Sequence, residues 1–193
     1  SDTLVGQNVD AVFEINTTNT YTISGNSVTF SGFNKLMGGT ANDTYKFVGL
    51  AVFNGDIDGA VGTDILDYSS YGTPVTVNLD GRTSTGLNGI FLNLEGMIGS
   101  PYNDVLIGRK EGSIFHITAA NTGDVDGNFT FVSVETVQGG SNTDTLDYSL
   151  FAGPVSVVLT GSTVEGYSGT GTYLGVGFIN IDVLKGTAPP PHF

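Results

Sequence analysis

Apolar and polar residues alternate along short stretches of this chain, and Gly, Asn, Asp and Ser separate the stretches. In the segment 74–79 the apolar residues Val75, Val77 and Leu79 lie two positions apart, and the segment 154–159 repeats this pattern. A spacing of two places side chains on the same face of a β-strand. We therefore expect a strand at each segment, with one face buried.

The same alternation continues elsewhere and excludes long helices. Phe129 and Phe131 follow it, and so does the segment 91–94. No run of ten or more residues shows a 3.6-residue period, and the 29 glycines disfavour helices throughout the chain. The sequence predicts an all-β fold with almost no helix.

The chain contains an internal repeat. Residues between 2 and 20 recur 102 positions later, whereas residues between 63 and 81 recur 80 positions later. The first copy therefore holds an extra stretch near residues 44–64. A repeat that contacts only its neighbours can gain or lose a whole unit in this way. We expect a single β-solenoid over 1–187, built from tandem repeats 1–102 and 103–187, followed by a Pro-rich tail at 188–193.

Aspartates mark a regular step along the chain. Consecutive aspartates of this series are separated by 41, 21, 40, 40 and 38 residues, so each separation is close to one or two times a step of about 20 residues. A period of this size is typical of a solenoid. The spacing predicts a parallel β-helix or β-roll with coils of about 20 residues. The aspartates in the series are Asp2, Asp43, Asp64, Asp104, Asp144 and Asp182.

Composition limits the partners. The chain has 19 acidic and 6 basic residues, no cysteine and a formal net charge of -13. Nucleic acid and anionic membranes both need a basic surface, so neither is expected as a partner. No apolar run approaches the roughly 18 residues of a membrane span. Divalent cations are the natural counterions, although the acidic residues would also serve to keep a strand-rich protein soluble.

Four glycine-containing turns resemble the RTX, or haemolysin-type, nonapeptide G-G-x-G-x-D-x-hydrophobic-x. Their surroundings are similar to repeat modules of very large bacterial secreted or surface proteins. This resemblance implies a right-handed parallel β-roll or β-helix that is exported and adhesive or structural. It also implies calcium bound between the turns of stacked coils. The turns are 38–45, 59–66, 99–106 and 139–146.

Spacing selects one place for an inter-coil calcium. Neighbouring coils lie about 4.8 Å apart, so turns two coils apart cannot share an ion with oxygen ligands at about 2.3–2.6 Å. Only Asp43 and Asp64 are a single predicted coil apart, and three further aspartates are close in sequence. The alternative is that these side chains cap turns by accepting hydrogen bonds from backbone N–H groups. The predicted metal ligands are Asp43, Asp64, Asp56, Asp58 and Asp67; the predicted turn formers are Asp104, Asp144 and Asp182.

The sequence thus predicts a non-catalytic structural or adhesive module, a spacer or scaffold of a bacterial extracellular, surface or filament protein. No catalytic residue is assigned. Expected partners are neighbouring repeats of the same protein or another copy stacked end to end, since sheet edges attract pairing. Carbohydrate is a further candidate ligand. The alternative function is a β-helical carbohydrate-active enzyme, a polysaccharide lyase or epimerase, which would line up acids with Lys, Arg or His in one groove.

Overall fold

The computed structural model describes residues 2–151 and 153–187, and these residues form 22 strands and no helix. The all-β prediction is confirmed. Consequently the described part of the chain has no helix long and apolar enough to cross a membrane. Two compact units divide between Tyr102 and Asn103. The Pro-rich tail predicted at 188–193 lies outside the described residues.

The first unit contains twelve short strands. They are β1 (Thr3–Val5), β2 (Ala11–Ile15), β3 (Thr20–Ile23), β4 (Asn26–Thr29), β5 (Lys35–Met37), β6 (Asp43–Gly49), β7 (Asp56–Asp58), β8 (Ile65–Tyr71), β9 (Thr76–Asn78), β10 (Thr83–Ser84), β11 (Phe91–Leu92) and β12 (Gly96–Ile98).

Parallel pairing organises the first unit into two ladders. In the first ladder, β1, β5, β7 and β11 pair side by side. In the second ladder, β2, β6, β8 and β12 do the same. Two antiparallel hairpins interrupt the alternation: β3 and β4 extend from β2, and β9 pairs with β10. Parallel ladders need long connections between their strands, and here the strands of the other ladder supply part of each connection.

Equivalent apolar residues stack along each ladder and form the core of this unit. In the second ladder Phe13 pairs in register with Tyr45, and their rings stack with centroids 4.9 Å apart. Phe47 and Tyr68 form a second stack, also at 4.9 Å. All four side chains are fully buried. Aromatic and β-branched residues fit this arrangement because each strand presents alternate side chains to the same face.

The second unit contains ten strands. They are β13 (Val105–Ile107), β14 (Ile114–Ala119), β15 (Thr122–Val125), β16 (Phe129–Val132), β17 (Thr136–Gln138), β18 (Thr145–Asp147), β19 (Val157–Thr163), β20 (Gly166–Gly171), β21 (Gly177–Ile181) and β22 (Val183–Lys185).

The second unit repeats the two-ladder arrangement. A third ladder joins β13, β17 and β21 in parallel, and a fourth joins β14, β18 and β22. Hairpin strands again extend the ladders: β15 and β16 follow β14, while β20 and β19 continue antiparallel from β21. Phe129 and Phe131 point inward from β16, as their spacing predicted.

The predicted step of about 20 residues is wrong for most of the chain. Paired residues along the second ladder are Phe13, Tyr45, Leu66 and Met97, which gives steps of 32, 21 and 31 residues. Along the fourth ladder Phe115, Leu146 and Leu184 give steps of 31 and 38. The hairpins account for much of the extra length, because their residues lie between one strand of a ladder and the next parallel strand of the same ladder.

The two segments predicted as half-buried strands have different outcomes. Segment 74–79 contains β9, and the side chains of Val75, Val77 and Leu79 are buried as expected. The matching strand β19 begins at Val157, but Leu159 is 50% exposed. The prediction of a buried face is therefore wrong for 154–159, since burial depends on what covers the strand and not on its own pattern.

Candidate metal centre

Asp43 and Asp64 lie side by side in the structure. Asp43 begins β6 and Asp64 immediately precedes β8, and the register pairs Thr44 with Ile65. The backbone N–H of Asp43 donates to Oδ1 of Asp64 at 2.6 Å. Each aspartate is only 1% exposed. Asp43 and Asp64 therefore lie next to each other where two paired strands begin.

The carboxylates of this pair bond to the backbone. Oδ2 of Asp43 accepts a hydrogen bond from the N–H of Gly39 at 2.8 Å. The N–H of Asp64 donates to Oε2 of Glu95 at 2.8 Å, so a carboxylate from the next strand repeats the contact. Oδ1 of Asp43 is buried and has no hydrogen bond of ordinary geometry in the described residues, although the amide of Ala11 also favours the charged form of Asp43. Hydrogen bonds from backbone amides to carboxylates thus connect the chain at the starts of β6, β8 and β12.

Glycine is required beside each of these aspartates because the carboxylate occupies the space of a side chain. A Cβ on Gly59 would lie 2.6 Å from Oδ2 of Asp64 and would overlap the carbonyl oxygen of Asn93. A Cβ on Gly38 would lie 2.5 Å from Oδ2 of Asp43. The first glycine of each turn therefore makes room for the aspartate five positions later in the chain.

Burial makes both charges costly. It raises the pKa of Asp64 to about 6, even though the amide of Asp43 opposes the change, and the charges of Asp43 and Glu95 add to the increase. Burial also raises the pKa of Asp43, against the effect of the Gly39 amide. Burial also raises the pKa of Tyr45, on β6, so this side chain stays a neutral hydroxyl. Burial therefore disfavours the charged form of both carboxylates.

Asp58 bonds with other groups. Its Oδ2 forms an ion pair with Nζ of Lys35 at 2.9 Å, and its Oδ1 accepts from Nδ2 of Asn93 at 2.8 Å. Burial on its own would raise the pKa of Asp58, but these hydrogen bonds outweigh burial and lower it. The charge of Asp58 is already neutralised by Lys35.

The other two predicted ligands cap backbone groups. Oδ1 of Asp56 accepts from the N–H of Ile90 at 2.9 Å. Oδ1 of Asp67 accepts from the N–H of Ser69 at 2.8 Å, which is an Asx turn. The structure therefore brings Asp43 and Asp64 together, while Asp56, Asp58 and Asp67 each form separate contacts.

A second aspartate pair, in the second unit, was missed. Asp144 and Asp182 precede paired strands, and the N–H of Asp144 donates to Oδ2 of Asp182 at 2.8 Å. Oδ1 of Asp144 accepts from the N–H of Ser113 at 2.7 Å, and its Oδ2 is buried without a partner in the described residues. Burial raises the pKa of Asp144 to about 6.

The expectation that only Asp43 and Asp64 are neighbours is therefore wrong. Asp144 and Asp182 are separated by 38 residues because the hairpin β19–β20 lies between them. One sequence signal could have found the site: Gly139 and Asp144 repeat the five-residue spacing of Gly38 and Asp43. A Cβ on Gly139 would lie 2.6 Å from Oδ2 of Asp144, as in the first unit.

The donor set fits a cation only in part. Calcium takes about six to eight oxygen ligands. Within residues 2–151 and 153–187, no group of three or more His, Cys, Asp and Glu side chains is placed to hold a metal ion. Oδ1 of Asp43 and Oδ2 of Asp144 are the buried carboxylate oxygens without a hydrogen bond of ordinary geometry in the described residues. The calcium assignment stays a prediction.

Several basic side chains lie close to acidic ones. Besides the contact of Lys35 with Asp58, there are contacts of Arg109 with Asp126 at 2.8 Å, His116 with Asp124 at 2.8 Å and Lys185 with Asp147 at 3.2 Å.

Two surface cavities of the first unit, of 460 and 280 Å³, are lined without any acidic or basic side chain. Their linings are 16, 17 and 48–51 for the larger cavity, and 17–19 and 29–31 for the smaller.

Comparison with known proteins gives no match: no family model, no curated protein and no solved structure is similar to this chain. Function is therefore inferred from the residues and their geometry.

Proposed function

We propose that this chain is a non-catalytic structural repeat module, a spacer or adhesive scaffold within a bacterial extracellular, surface or filament protein. In this proposal the strands wind as a right-handed parallel β-solenoid, with hairpins that extend from individual coils. Calcium stabilises the module at the Asp43–Asp64 pair. The expected neighbours are further repeats of the same kind, and carbohydrate remains a candidate ligand.

The observation that carries the proposal is the use of buried carboxylates as backbone acceptors between adjacent strands. Asp64 accepts from the amide of Asp43, and Asp144 accepts from the amide of Ser113. The same contact occurs in both units at repeated positions. A buried acid that bonds to main-chain N–H groups holds strands together and is screened from any substrate.

Parallel ladders support the solenoid part of the proposal. Each unit carries two ladders whose strands alternate along the chain, and equivalent residues pair in register. A chain that winds repeatedly past the same faces produces this alternation. Stacked repeats of this kind suit a protein whose task is to span distance, because units can be added without changing the core of their neighbours.

The ion pairs of the basic residues favour a structural function over an enzymatic one. A lyase or epimerase needs a base and a charge-stabilising group that face a groove together. Lys35 and Arg109 instead bond to Asp58 and Asp126. Such contacts connect side chains across strands and stabilise the sheet surface.

The proposal is tested by thermal unfolding with increasing calcium. We expect millimolar calcium to raise the melting temperature, because a ligand that binds only the native state stabilises it. The double variant Asp43→Asn with Asp64→Asn should lose this response. The matched control, Glu111→Gln with Glu165→Gln, removes two exposed acidic charges and should keep it.

Two further readouts separate the parts of the proposal. No calcium response in the wild type would remove the metal while leaving the scaffold. Small-angle X-ray scattering should show an elongated particle, and a spherical one would contradict the solenoid. Turnover of an acidic polysaccharide, abolished by one acid-to-amide change, would contradict the non-catalytic function.

A further inference from the structure

The repeat contains a strand that is buried in the first unit and open in the second. Val77 and Leu79, in and after β9, correspond to Val157 and Leu159 of β19. Val77 is 0% and Leu79 is 6% exposed, whereas Leu159 is 50% exposed. Val157 is half-buried. The same apolar residues that are covered at β9 are therefore left open at β19.

The opposite asymmetry is found at the start of each unit. Leu4 and Val5 of β1 correspond to Leu106 and Ile107 of β13. Leu106 is 0% exposed, but Leu4 is half-buried and Val5 is 58% exposed. Thus β1 is the open member of one repeated pair of strands, and β19 is the open member of the other.

Both open strands are sheet edges. In the described part of the chain β1 pairs only with β5, and β19 pairs only with β20. The hairpin from Val157 to Gly171 contains no proline, and Glu165 is its single charged residue. Natural edge strands usually carry Lys, Pro or a bulge that prevents pairing with another chain. The seven residues of β19 have a register shift, but no charge and no proline.

The openness at β1 is local, because the neighbouring ladder is covered. Phe13 of β2 is 0% exposed, and the ring of Tyr21 on β3 lies 4.7 Å from it. The hairpin β3–β4 therefore covers the first strand of the second ladder. No corresponding hairpin follows β1, so the first strand of the first ladder keeps its edge.

We propose that β19 of one copy pairs with β1 of a second copy, so that the chains associate head to tail. The apolar residues Val77 and Leu79 at β9 and Leu106 of β13 are buried in this chain. Their counterparts at β19 and β1 are more exposed. A second copy supplies the strand that each edge lacks. Main-chain hydrogen bonds would provide affinity, and apolar side chains would provide register. This inference deepens the proposed scaffold function and rests on it.

A head-to-tail contact between two copies leaves one β1 and one β19 free, so further copies can be added. Such heterologous interfaces generate rings or open filaments. The net charge of -13 opposes association of two copies at low ionic strength. Salt should therefore strengthen the contact, since at about 0.15 M the Debye length is only about 8 Å.

The test is analytical ultracentrifugation of the 193-residue chain between about 1 μM and about 1 mM at physiological salt. Leu159→Lys places a charge on the β19 edge, and Val5→Lys places one on the β1 edge. The matched controls are Val164→Lys, at a position 99% exposed in the hairpin turn, and Val28→Lys, at a position 57% exposed on β4. Circular dichroism and melting temperature establish that all four variants fold.

We expect reversible association of the wild type, at least about tenfold weaker association for each edge variant, and no change for the controls. A mixture of the two edge variants should form heterodimers, because each retains the edge that the other has lost. A wild type that is monomeric at every concentration would overturn the inference, and so would a Val5→Lys variant that associates normally. A monomer with elongated scattering would leave the scaffold function in place.

Discussion

At the residue scale, the informative unit is a glycine, an aspartate and a backbone amide of the neighbouring strand. Gly59 leaves space for the carboxylate of Asp64, which accepts from the amide of Asp43. Gly139 and Asp144 repeat this geometry in the second unit. The glycines in these turns are explained by close approach of a carboxylate and a carbonyl, since none of Gly38, Gly59 and Gly139 has positive φ.

Gly59→Ala tests this packing. The added methyl would overlap the carbonyl oxygen of Asn93 and lie 2.6 Å from Oδ2 of Asp64, so backbone must move. We expect the free energy of unfolding to fall by about 1–3 kcal/mol, which is typical of overpacking. Chemical denaturation measures the change. Gly161→Ala is the control, because a Cβ there meets nothing within 4 Å and the change should stay within about 0.5 kcal/mol. Equal effects of the two substitutions would contradict the close-approach explanation.

At the scale of elements, parallel ladders stabilise each unit by stacking large side chains from successive strands. Phe47 of β6 lies 4.9 Å from the ring of Tyr68 on β8 and 6.5 Å, edge to face, from Tyr71. The hydroxyl of Tyr68 donates to Oγ of Ser84 at 2.7 Å, so the buried polar atom is satisfied. These contacts connect β6 and β8 to the hairpin strand β10.

Phe47→Ala tests the contribution of the aromatic stack. Phe47 is fully buried, and its loss leaves a cavity between β6 and β8. We expect a loss of about 3–5 kcal/mol in the free energy of unfolding. Val52→Ala, at a position 51% exposed, should change it by no more than about 0.5 kcal/mol. A loss below about 1 kcal/mol for Phe47→Ala would show that the stack is not part of the stabilising core.

At the scale of the whole molecule, buried carboxylates should set the pH dependence of stability. The pKa of Asp64 and that of Asp144 are each raised from 3.8 to about 6, so the folded state holds protons that the unfolded state releases. Stability from these groups is fully present below about pH 4 and is lost as the pH rises through 6. Asp58 and Asp147 act in the opposite direction, because their pKa values are lowered and their contribution is lost in acid.

We therefore expect the wild type to lose stability between about pH 4 and pH 7 without added cation. Each of Asp64 and Asp144 contributes up to about 3 kcal/mol, since a shift of one pKa unit corresponds to about 1.4 kcal/mol. The double variant Asp64→Asn with Asp144→Asn should flatten this part of the profile. Urea denaturation at several pH values measures it, with Glu165→Gln as an exposed control. A wild-type stability that rises steadily over this range would contradict the raised pKa values.

Local patterns were sufficient for some elements and insufficient for others. The alternation of Val75, Val77 and Leu79 identified a strand with a buried face, and the pairing of Asp43 with Asp64 followed from one short step in the sequence. The step of about 20 residues failed because hairpins such as β19–β20 lengthen the path between paired strands. Sequence separation then no longer measures distance between strands, which is why the neighbours Asp144 and Asp182 were missed.

The sequence by itself determined the all-β class, the internal repeat and the glycine–aspartate turns, because alternation and spacing are local properties of the chain. Only the tertiary structure decided which strands pair, which carboxylates meet an amide and which apolar faces stay open. Val77 and Leu79 match Val157 and Leu159, yet Leu79 is buried and Leu159 is exposed. Burial belongs to the surroundings of a strand, and identical patterns have different surroundings at different places in the fold.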